Sequence, residues 1–245
     1  MWESGLVPAG GAVPPSRQSL RAVRRRADMP ARAVCFDMDG VVVDSERHWV
    51  PLENERILPA AVPGADVTAG DITGMNVRDL YAHLSAEYGT ALDEGEFLAL
   101  YDDAAEELYT ERAALLDGFE ELVGSLREAE VAVALVSSSP RRWIRLVLER
   151  FGLADRLDAV VSADDVDSGK PAPDVYERAA DRLGVAPGRC VAVEDSTHGL
   201  AAALAAGMEG VGYRTAVNAG QDLSAADTVA EGPVALGRVL RERCD

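Results

Sequence analysis

The chain has 245 residues; 48 % are hydrophobic, 27 % are charged, and 42 acidic against 24 basic side chains give a formal net charge of −18. This composition is typical of a globular protein, and no apolar run reaches the ~20 residues that a membrane span needs. Nucleic-acid binding is not expected, because phosphate backbones attract basic surfaces. Three scattered cysteines exclude a disulfide framework and a CxxC zinc site, and we expect a reducing, cytoplasmic setting.

Lys170 is the only lysine, and the other 23 basic side chains are arginines. Two explanations of this usage and of the acid excess stay open. One is a GC-rich genome. The other is an acidic surface adapted to high salt, because salt screens the repulsion between surface carboxylates; it predicts a halophilic protein.

Residues 1–28 are rich in Gly, Pro, Ser and Arg and follow neither a helical nor a strand period, which predicts a disordered basic tail. From residue 33 onwards the chain contains short apolar runs: Ala33–Phe36, Val131–Val136, Ala159–Val161, Cys190–Val193 and, as a candidate fifth, Val211–Tyr213. Apolar strands without alternation are typical of a parallel sheet that is covered by helices on both faces.

Helical segments lie between these strands. They are predicted at Phe119–Glu130, from Ser139-Pro140 to Gly152, from Pro173-Asp174 to Gly184, and at Thr197–Ala206. Ser139 is the expected N-cap of the second of these helices, with Pro140 at its first position. Alternating strands and helices predict an α/β fold with a doubly wound, Rossmann-like parallel sheet.

One interval breaks this alternation. Residues 46–116 are far longer than an ordinary crossover, read as helical throughout, and hold 15 acids and four arginines. We interpret them as an α-helical cap inserted into a core that is formed by residues 29–45 and 117–245. Asp44 and Ser45 are expected to cap the first helix of this cap, at one of its two hinges.

Two carboxylates follow the first strand in Asp37-Met38-Asp39-Gly40. A carboxylate at the carboxyl end of a parallel strand faces the crevice where such sheets bind ligands, and Gly40 permits a tight turn. Two such carboxylates can divide the work, one as a nucleophile and one as a general acid and base. A metal-binding or helix-capping pair is the alternative interpretation.

Three further positions carry polar residues that suit an anion or a cation. Ser137 ends the second strand and offers a hydroxyl and a backbone N–H to an anion. Lys170 follows the third strand, and its compact ammonium suits a crowded site between a carboxylate and a phosphoryl group better than a guanidinium would. Glu194 and Asp195 end the fourth strand, where paired acids suit Mg²⁺, a cation that prefers oxygen ligands.

Together these residues resemble the haloacid dehalogenase superfamily, in its branch with a helical cap inserted after the first strand. Its four motifs are matched, in order, by Asp37-Met38-Asp39-Gly40-Val41-Val42-Val43-Asp44-Ser45, by Ser137 after Val133-Ala134-Leu135-Val136, by Lys170 in Ser168-Gly169-Lys170-Pro171-Ala172-Pro173-Asp174, and by Val191-Ala192-Val193-Glu194-Asp195-Ser196. The resemblance covers about residues 33–215 and is closest to the phosphoglycolate phosphatase and β-phosphoglucomutase-like branch.

The resemblance implies a role for each matched position. Asp37 would attack phosphorus and form an aspartyl-phosphate, and Asp39 would protonate the leaving oxygen and later activate water. Ser137 would hold a phosphoryl oxygen, and Lys170 would offset the charge on Asp37 and on the phosphate. The implied Mg²⁺ ligands are Asp37, Asp195 and the backbone carbonyl of Asp39. Glu194 would either bind the ion directly or hold one of these ligands in place.

Departures from the patterns of individual superfamily members narrow the choice of activity. Haloacid dehalogenases lack an acid at the position of Asp39, and phosphonoacetaldehyde hydrolases need a cap lysine, which residues 46–116 do not contain. A sugar-phosphate mutase similar to β-phosphoglucomutase needs a basic cap group for a second phosphate. Arg78 is the candidate, but its spacing from Gly74 is one residue longer than in the mutase.

We therefore expect a Mg²⁺-dependent phosphatase of a small phosphorylated metabolite, of the sugar-phosphate or phosphoglycolate type. The mutase and a non-catalytic binding protein are the alternatives. The candidate substrate-binding residues are Ser138 beside the second motif and the cap residues His48, Asn76 and Arg78. We also expect a monomer with neither a nucleic-acid nor a membrane partner.

Overall fold

The computed structural model describes residues 32–72 and 75–244, so the tail predicted at residues 1–28 lies outside the described residues. Within them, six strands form one parallel sheet: β1 Ala33–Phe36, β2 Ala132–Ser137, β3 Ala159–Ser162, β4 Cys190–Glu194, β5 Glu209–Arg214 and β6 Thr228–Glu231. Their order is β3–β2–β1–β4–β5–β6. The five predicted strands are confirmed. The sixth was missed because it is an edge strand with one buried residue, Ala230.

The described residues also form ten α-helices. They are α1 Glu46–Leu52, α2 Leu58–Ala61, α3 Ala69–Ile72, α4 Val77–Glu87, α5 Glu94–Glu107, α6 Phe119–Glu128, α7 Arg141–Phe151, α8 Asp174–Leu183, α9 Thr197–Ala205 and α10 Gly232–Cys244. Two π-helical turns, Glu53–Ile57 and Leu108–Arg112, continue α1 and α5. In this described part of the chain, no helix combines the length and the apolar character that crossing a membrane requires.

Helices cover both faces of the sheet because successive side chains of a strand point to opposite sides. Val34 and Phe36 of β1 belong to one apolar core with α6, α7 and α10, whereas Ala33 and Cys35 belong to a second core with α8 and α9. All four side chains are fully buried. This confirms the doubly wound α/β core and explains why its strands show no apolar–polar alternation.

Helices α1 to α5 form an inserted cap between β1 and α6. The expectation that this interval is helical throughout is wrong: among its described residues, 62–68, 75–76, 88–93 and 113–116 are not helical, and the two longest of these connections are 62–68 and 88–93. Gly64 and Gly89 lie in these connections with φ of 82° and 70°, a left-handed backbone conformation that ends a right-handed helix. The cap is therefore several short helices whose side chains can face the sheet edge from different directions.

The two segments that join cap and core run side by side. Val43 and Leu115 form an antiparallel bridge. Asp44 N donates to Ala114 O at 3.0 Å, and Ala114 N donates to the Asp44 carboxylate at 2.6 Å. Asp44 thus ties the two linkers together instead of capping α1 as expected. The domain boundaries 29–45, 46–116 and 117–245 stay a prediction.

Candidate active site

The candidate site lies where β1, β2 and β4 end next to one another. Phe36, the last residue of β1, pairs with Leu135 of β2 and Val193 of β4. The next residue, Asp37, continues the ladder by donating its backbone N–H to Val193 O at 3.0 Å. Asp37 therefore stands beside Glu194, at the edge where parallel sheets bind ligands.

Lys170 lies between these two carboxylates. Its Nζ is 2.6 Å from Asp37 Oδ1, 2.7 Å from Glu194 Oε1 and 3.3 Å from the backbone oxygen of Val136. Only 4 % of its side chain is exposed. Burial lowers the pKa of Lys170, but the charges of Asp37 and Glu194 outweigh burial and hold the pKa above its ordinary value. The ammonium is therefore a fixed positive charge. Glu194 also accepts a short hydrogen bond from Tyr176.

Three carboxylates surround this single ammonium. Asp37, Glu194 and Asp195 each place an oxygen within 4.8 Å of the other two. Burial and the neighbouring acids raise the pKa of Asp37 and of Asp195 well above the usual range, although Lys170 opposes this. A divalent cation with a preference for oxygen would relieve the crowding, so the residues fit Mg²⁺. Gly40 contributes space, because a Cβ there would clash with the Asp195 carboxylate.

Asp39 lies outside this cluster and is held by three hydroxyl groups. Its Oδ1 accepts from Ser45 Oγ and from Tyr109 OH, both at 2.6 Å, and its Oδ2 accepts from Ser139 Oγ at 2.9 Å. Ser45 precedes α1 but makes no capping bond, so the capping role expected for it is wrong. Tyr109 belongs to the cap, where burial and the Asp39 charge raise its pKa and keep it a donor.

The two serines predicted to contact substrate differ in exposure. Ser137 is fully buried, and its hydroxyl accepts a hydrogen bond from Ser139 N at 2.9 Å. Ser138 lines the cavity in front of the sheet edge. Ser138 therefore presents its surface to a ligand, whereas Ser137 does not.

Ser139 is not the N-cap of α7, and that expectation is wrong. The helix begins at Arg141, and Pro140 is its N-cap residue. The side chain of Pro140 has no atom that can accept a hydrogen bond. The Arg141 N–H donates to Asp164 Oδ2 at 2.9 Å instead. The Ser139 hydroxyl is thereby free to bind Asp39, a role that its place at a helix start concealed.

The structure brings one of the three cap candidates to the cavity. Asn76 lines the cavity while its side chain caps α4. Arg78 lies outside the cavity wall, with 70 % of its side chain exposed and Glu94 at 3.9 Å. His48 is also outside the wall, and its Nε2 accepts a hydrogen bond from Arg47 at 3.1 Å. The expectation that His48 and Arg78 bind substrate therefore finds no support in their placement.

A cavity of about 410 Å³ separates the cap from the sheet edge. Asp37 and Lys170 lie at its sheet side. Trp49, which the sequence suggests for the cleft together with His48, lines the cavity as well. Four further lining residues were not expected from the sequence: Glu46, Glu53, Tyr101 and Trp143. One signal could have found the two glutamates, since they are seven residues apart and so share one face of a helix. Tyr109, 70 residues from Asp39, has no such local signal.

Comparisons with known proteins agree with this geometry. The model of the haloacid dehalogenase-like hydrolase family matches residues 31–207. Hexitol phosphatase B of Escherichia coli K12 is 34 % identical over 185 residues, covering 73 % of this chain and 82 % of that protein. Phosphoglycolate phosphatase of Xanthomonas campestris pv. campestris is 33 % identical over 194 residues, covering 75 % of this chain and 85 % of that protein.

The fold has solved counterparts as well. The crystal structure of CbbY from Rhodobacter sphaeroides in complex with phosphate superposes with a TM-score of 0.71, covering 82 % of this chain and 94 % of that chain. Its sequence identity is 23 %, so this likeness concerns the fold alone.

Proposed function

The chain belongs to the haloacid dehalogenase-like hydrolases and is a phosphoric monoester hydrolase, and from this premise we propose that it is a Mg²⁺-dependent phosphatase. Its substrate is a small phosphorylated metabolite of the sugar-phosphate or phosphoglycolate type. The observation that carries the proposal is the position of Asp37, buried at the end of β1 with the only lysine of the chain 2.6 Å from its carboxylate.

Two displacements at phosphorus make up the proposed reaction. First, an oxygen of Asp37 attacks phosphorus and forms an aspartyl-phosphate, while the ester bond breaks and Asp39 donates a proton to the leaving oxygen. Then water attacks the same phosphorus, Asp39 accepts its proton, and the bond to Asp37 breaks to release inorganic phosphate. Asp39 is suited to this alternation because it lies outside the cluster of carboxylates around Lys170.

The proposed contribution of the other residues is electrostatic. Lys170 keeps a positive charge beside the attacking oxygen. Ser138 offers N–H and O–H groups to phosphoryl oxygens, and the buried Ser137 supports this turn from behind by accepting from Ser139 N. Mg²⁺ would be held by the carboxylates of Asp37 and Asp195 with Glu194 behind them and by the backbone carbonyl of Asp39, and when bound it would neutralise phosphoryl charge. The cap would exclude bulk water during the reaction.

A sugar-phosphate mutase is the second candidate, and the cavity disfavours it. A mutase must hold a second phosphate away from Asp37, which calls for a cation on the cap side. Among the described residues that line the cavity, Lys170 is the only lysine or arginine, and it is already paired. Arg78, the cap candidate, lies outside.

Phosphate release with and without Mg²⁺ tests the proposal. The panel should span phosphoglycolate, hexose and pentose phosphates, glycerol phosphate and nucleoside monophosphates, each in low and in high salt. Mg²⁺-dependent release that Asp37→Asn abolishes is the expected result, and a higher rate in high salt would favour the halophilic explanation of the charge. Interconversion of sugar phosphates without net phosphate release, in the presence of a bisphosphate activator, would replace the phosphatase by the mutase.

A further inference from the structure

The side of the cavity away from the nucleophile is where a leaving group must lie. Asp37 and Lys170 mark the position of the phosphoryl group, and the cavity of about 410 Å³ extends from them to the cap. Its size is in the range of small-molecule sites. The residues on that far side therefore determine which phosphate esters react.

An aromatic wall lines part of the same cavity. The rings of Trp49 and Trp143 are 5.4 Å apart, and Tyr101 stacks on Trp143 at 6.4 Å with planes 17° apart. The polar tips of the three rings are taken by protein partners: Tyr101 OH donates to Glu53, Trp143 Nε1 to Asp102, and Trp49 Nε1 to Tyr109. The rings can therefore offer only their apolar faces and edges, which suit the C–H surface of a carbon skeleton.

Two more carboxyl groups line the cavity, Glu53 beside Tyr101 and Glu46 nearer to Gly40 and Asp195. Glu53 Oε1 accepts from Tyr101 OH at 3.1 Å, so its other oxygen is left for a ligand. Glu46 has no side-chain hydrogen bond to any residue in ranges 32–72 and 75–244, and it also lines the cavity. Burial and the Asp39 charge raise the pKa of Glu46 to about 7, and burial and the Glu46 charge raise the pKa of Glu53 to about 8. Glu53 is therefore a negatively charged acceptor only above about pH 8, and in neither protonation state can the two groups neutralise an anion.

Charge decides against a second anionic group on the substrate. Such a group would face Glu46 and Glu53, and Lys170, the one lysine or arginine among the described lining residues, is held between Asp37 and Glu194. Like charges brought together in a site with restricted solvent repel one another strongly. Hydroxyl groups, in contrast, are donors that the two carboxyls can accept.

We propose that the leaving group is an uncharged, hydroxyl-rich alcohol, so that the substrate is a sugar or polyol phosphate without a second anionic group. Glu46 and Glu53 select it by accepting hydrogen bonds from its hydroxyls and by repelling carboxylates and second phosphates, while Trp49, Tyr101 and Trp143 cover its carbon chain. This inference rests on the proposed phosphatase function and deepens it, because it separates sugar phosphates from the phosphoglycolate type.

Two pairs of substrates that differ in one charged group test the inference. Glucitol 6-phosphate and 6-phosphogluconate share a six-carbon chain, and glycerol 3-phosphate and 3-phosphoglycerate share a three-carbon chain. At about pH 9, where Glu53 is ionised, we expect kcat/KM to be at least about tenfold higher for the uncharged member of a pair. Glu53→Gln, which keeps the shape and removes the charge, should bring that ratio towards one, and Glu46→Gln serves if the first variant does not fold. Glu55→Gln is the matched control, because Glu55 is exposed two residues further along, and it should leave the ratio unchanged.

The outcomes separate the inference from the proposed function. Hydrolysis of p-nitrophenyl phosphate with Mg²⁺, without preference for the uncharged member in either pair, overturns the inference and leaves the phosphatase standing. A substrate ratio that Glu53→Gln and Glu46→Gln do not change also overturns it. So does a clear preference for glucosamine 6-phosphate over glucitol 6-phosphate, since that result would mean selection for a cation. If no ester is hydrolysed at all, including p-nitrophenyl phosphate, the phosphatase function itself fails.

Discussion

Replacing Lys170 by methionine should destabilise the protein strongly in the absence of Mg²⁺. The substitution keeps a long unbranched side chain but removes the ammonium that lies 2.6 Å from Asp37 and 2.7 Å from Glu194. Two buried carboxylates then lose their partner, with Asp195 next to them. Removing one member of a buried ion pair costs about 3–5 kcal/mol, a large part of the ~5–15 kcal/mol that stabilises a typical domain.

Urea unfolding, followed by circular dichroism, measures this free energy with a chelator and with millimolar Mg²⁺. Mg²⁺ should reduce the difference in free energy of unfolding between Lys170→Met and the wild type. The reason is that a site with one positive charge fewer binds the cation more tightly. Turnover should nevertheless fall by about 10²–10³, since a fixed charge beside the phosphoryl group is gone. Lys170→Arg should also lose most activity, because a planar fork does not fit the space of a point charge.

Arg145→Met is the matched control. Arg145 is 70 % exposed and pairs with Glu149 at 3.8 Å, so its removal should cost about 1 kcal/mol or less. If Lys170→Met proves as stable as this control in the chelator, the carboxylates do not carry the charge assigned to them. If Mg²⁺ leaves the difference in free energy of unfolding between Lys170→Met and the wild type unchanged, the proposed cation site is wrong.

Three other substitutions test neighbouring parts of the site. Asp37→Asn should abolish phosphate release and leave the circular dichroism spectrum unchanged, because the amide has the same shape but cannot form the covalent intermediate; measurable turnover would refute the nucleophile. Tyr109→Phe removes a 2.6 Å hydrogen bond to Asp39, worth about 1.5–3 kcal/mol to a charged group, so kcat should fall roughly ten- to hundredfold while KM stays within a few-fold. Gly40→Ala should raise the Mg²⁺ concentration needed for activity, whereas Gly64→Ala, at a similar φ in open space, should not.

The core of the site could be predicted because it depends on strand ends. Asp37, Ser137, Glu194 and Asp195 each follow an unbroken apolar run, and parallel strands bring such positions to one edge whatever the connections between them. Lys170 was predictable for a different reason. In a chain that otherwise uses arginine, it stands alone in the sequence.

The cap side of the site could not be predicted in the same way. Contacts such as Tyr109 to Asp39 span 70 residues and depend on how short helices pack, which apolar periodicity does not determine. Ser45 and Ser139 were misassigned for a related reason. Serine before a helix is a strong capping signal, but here both hydroxyls donate to Asp39. At the start of α7, Asp164 accepts the helix N–H instead.

The burial of the only lysine has a consequence for the chemical reactivity of the protein. Apart from its terminal amine, the chain offers acylating and amine-coupling reagents a single primary amine, and only 4 % of that side chain is exposed. The ammonium is held charged between two carboxylates, which leaves it without the lone pair that such reagents need. Coupling of the folded protein through lysine should therefore fail, and acylation of Lys170 would serve as an internal reporter that the charged cluster has opened.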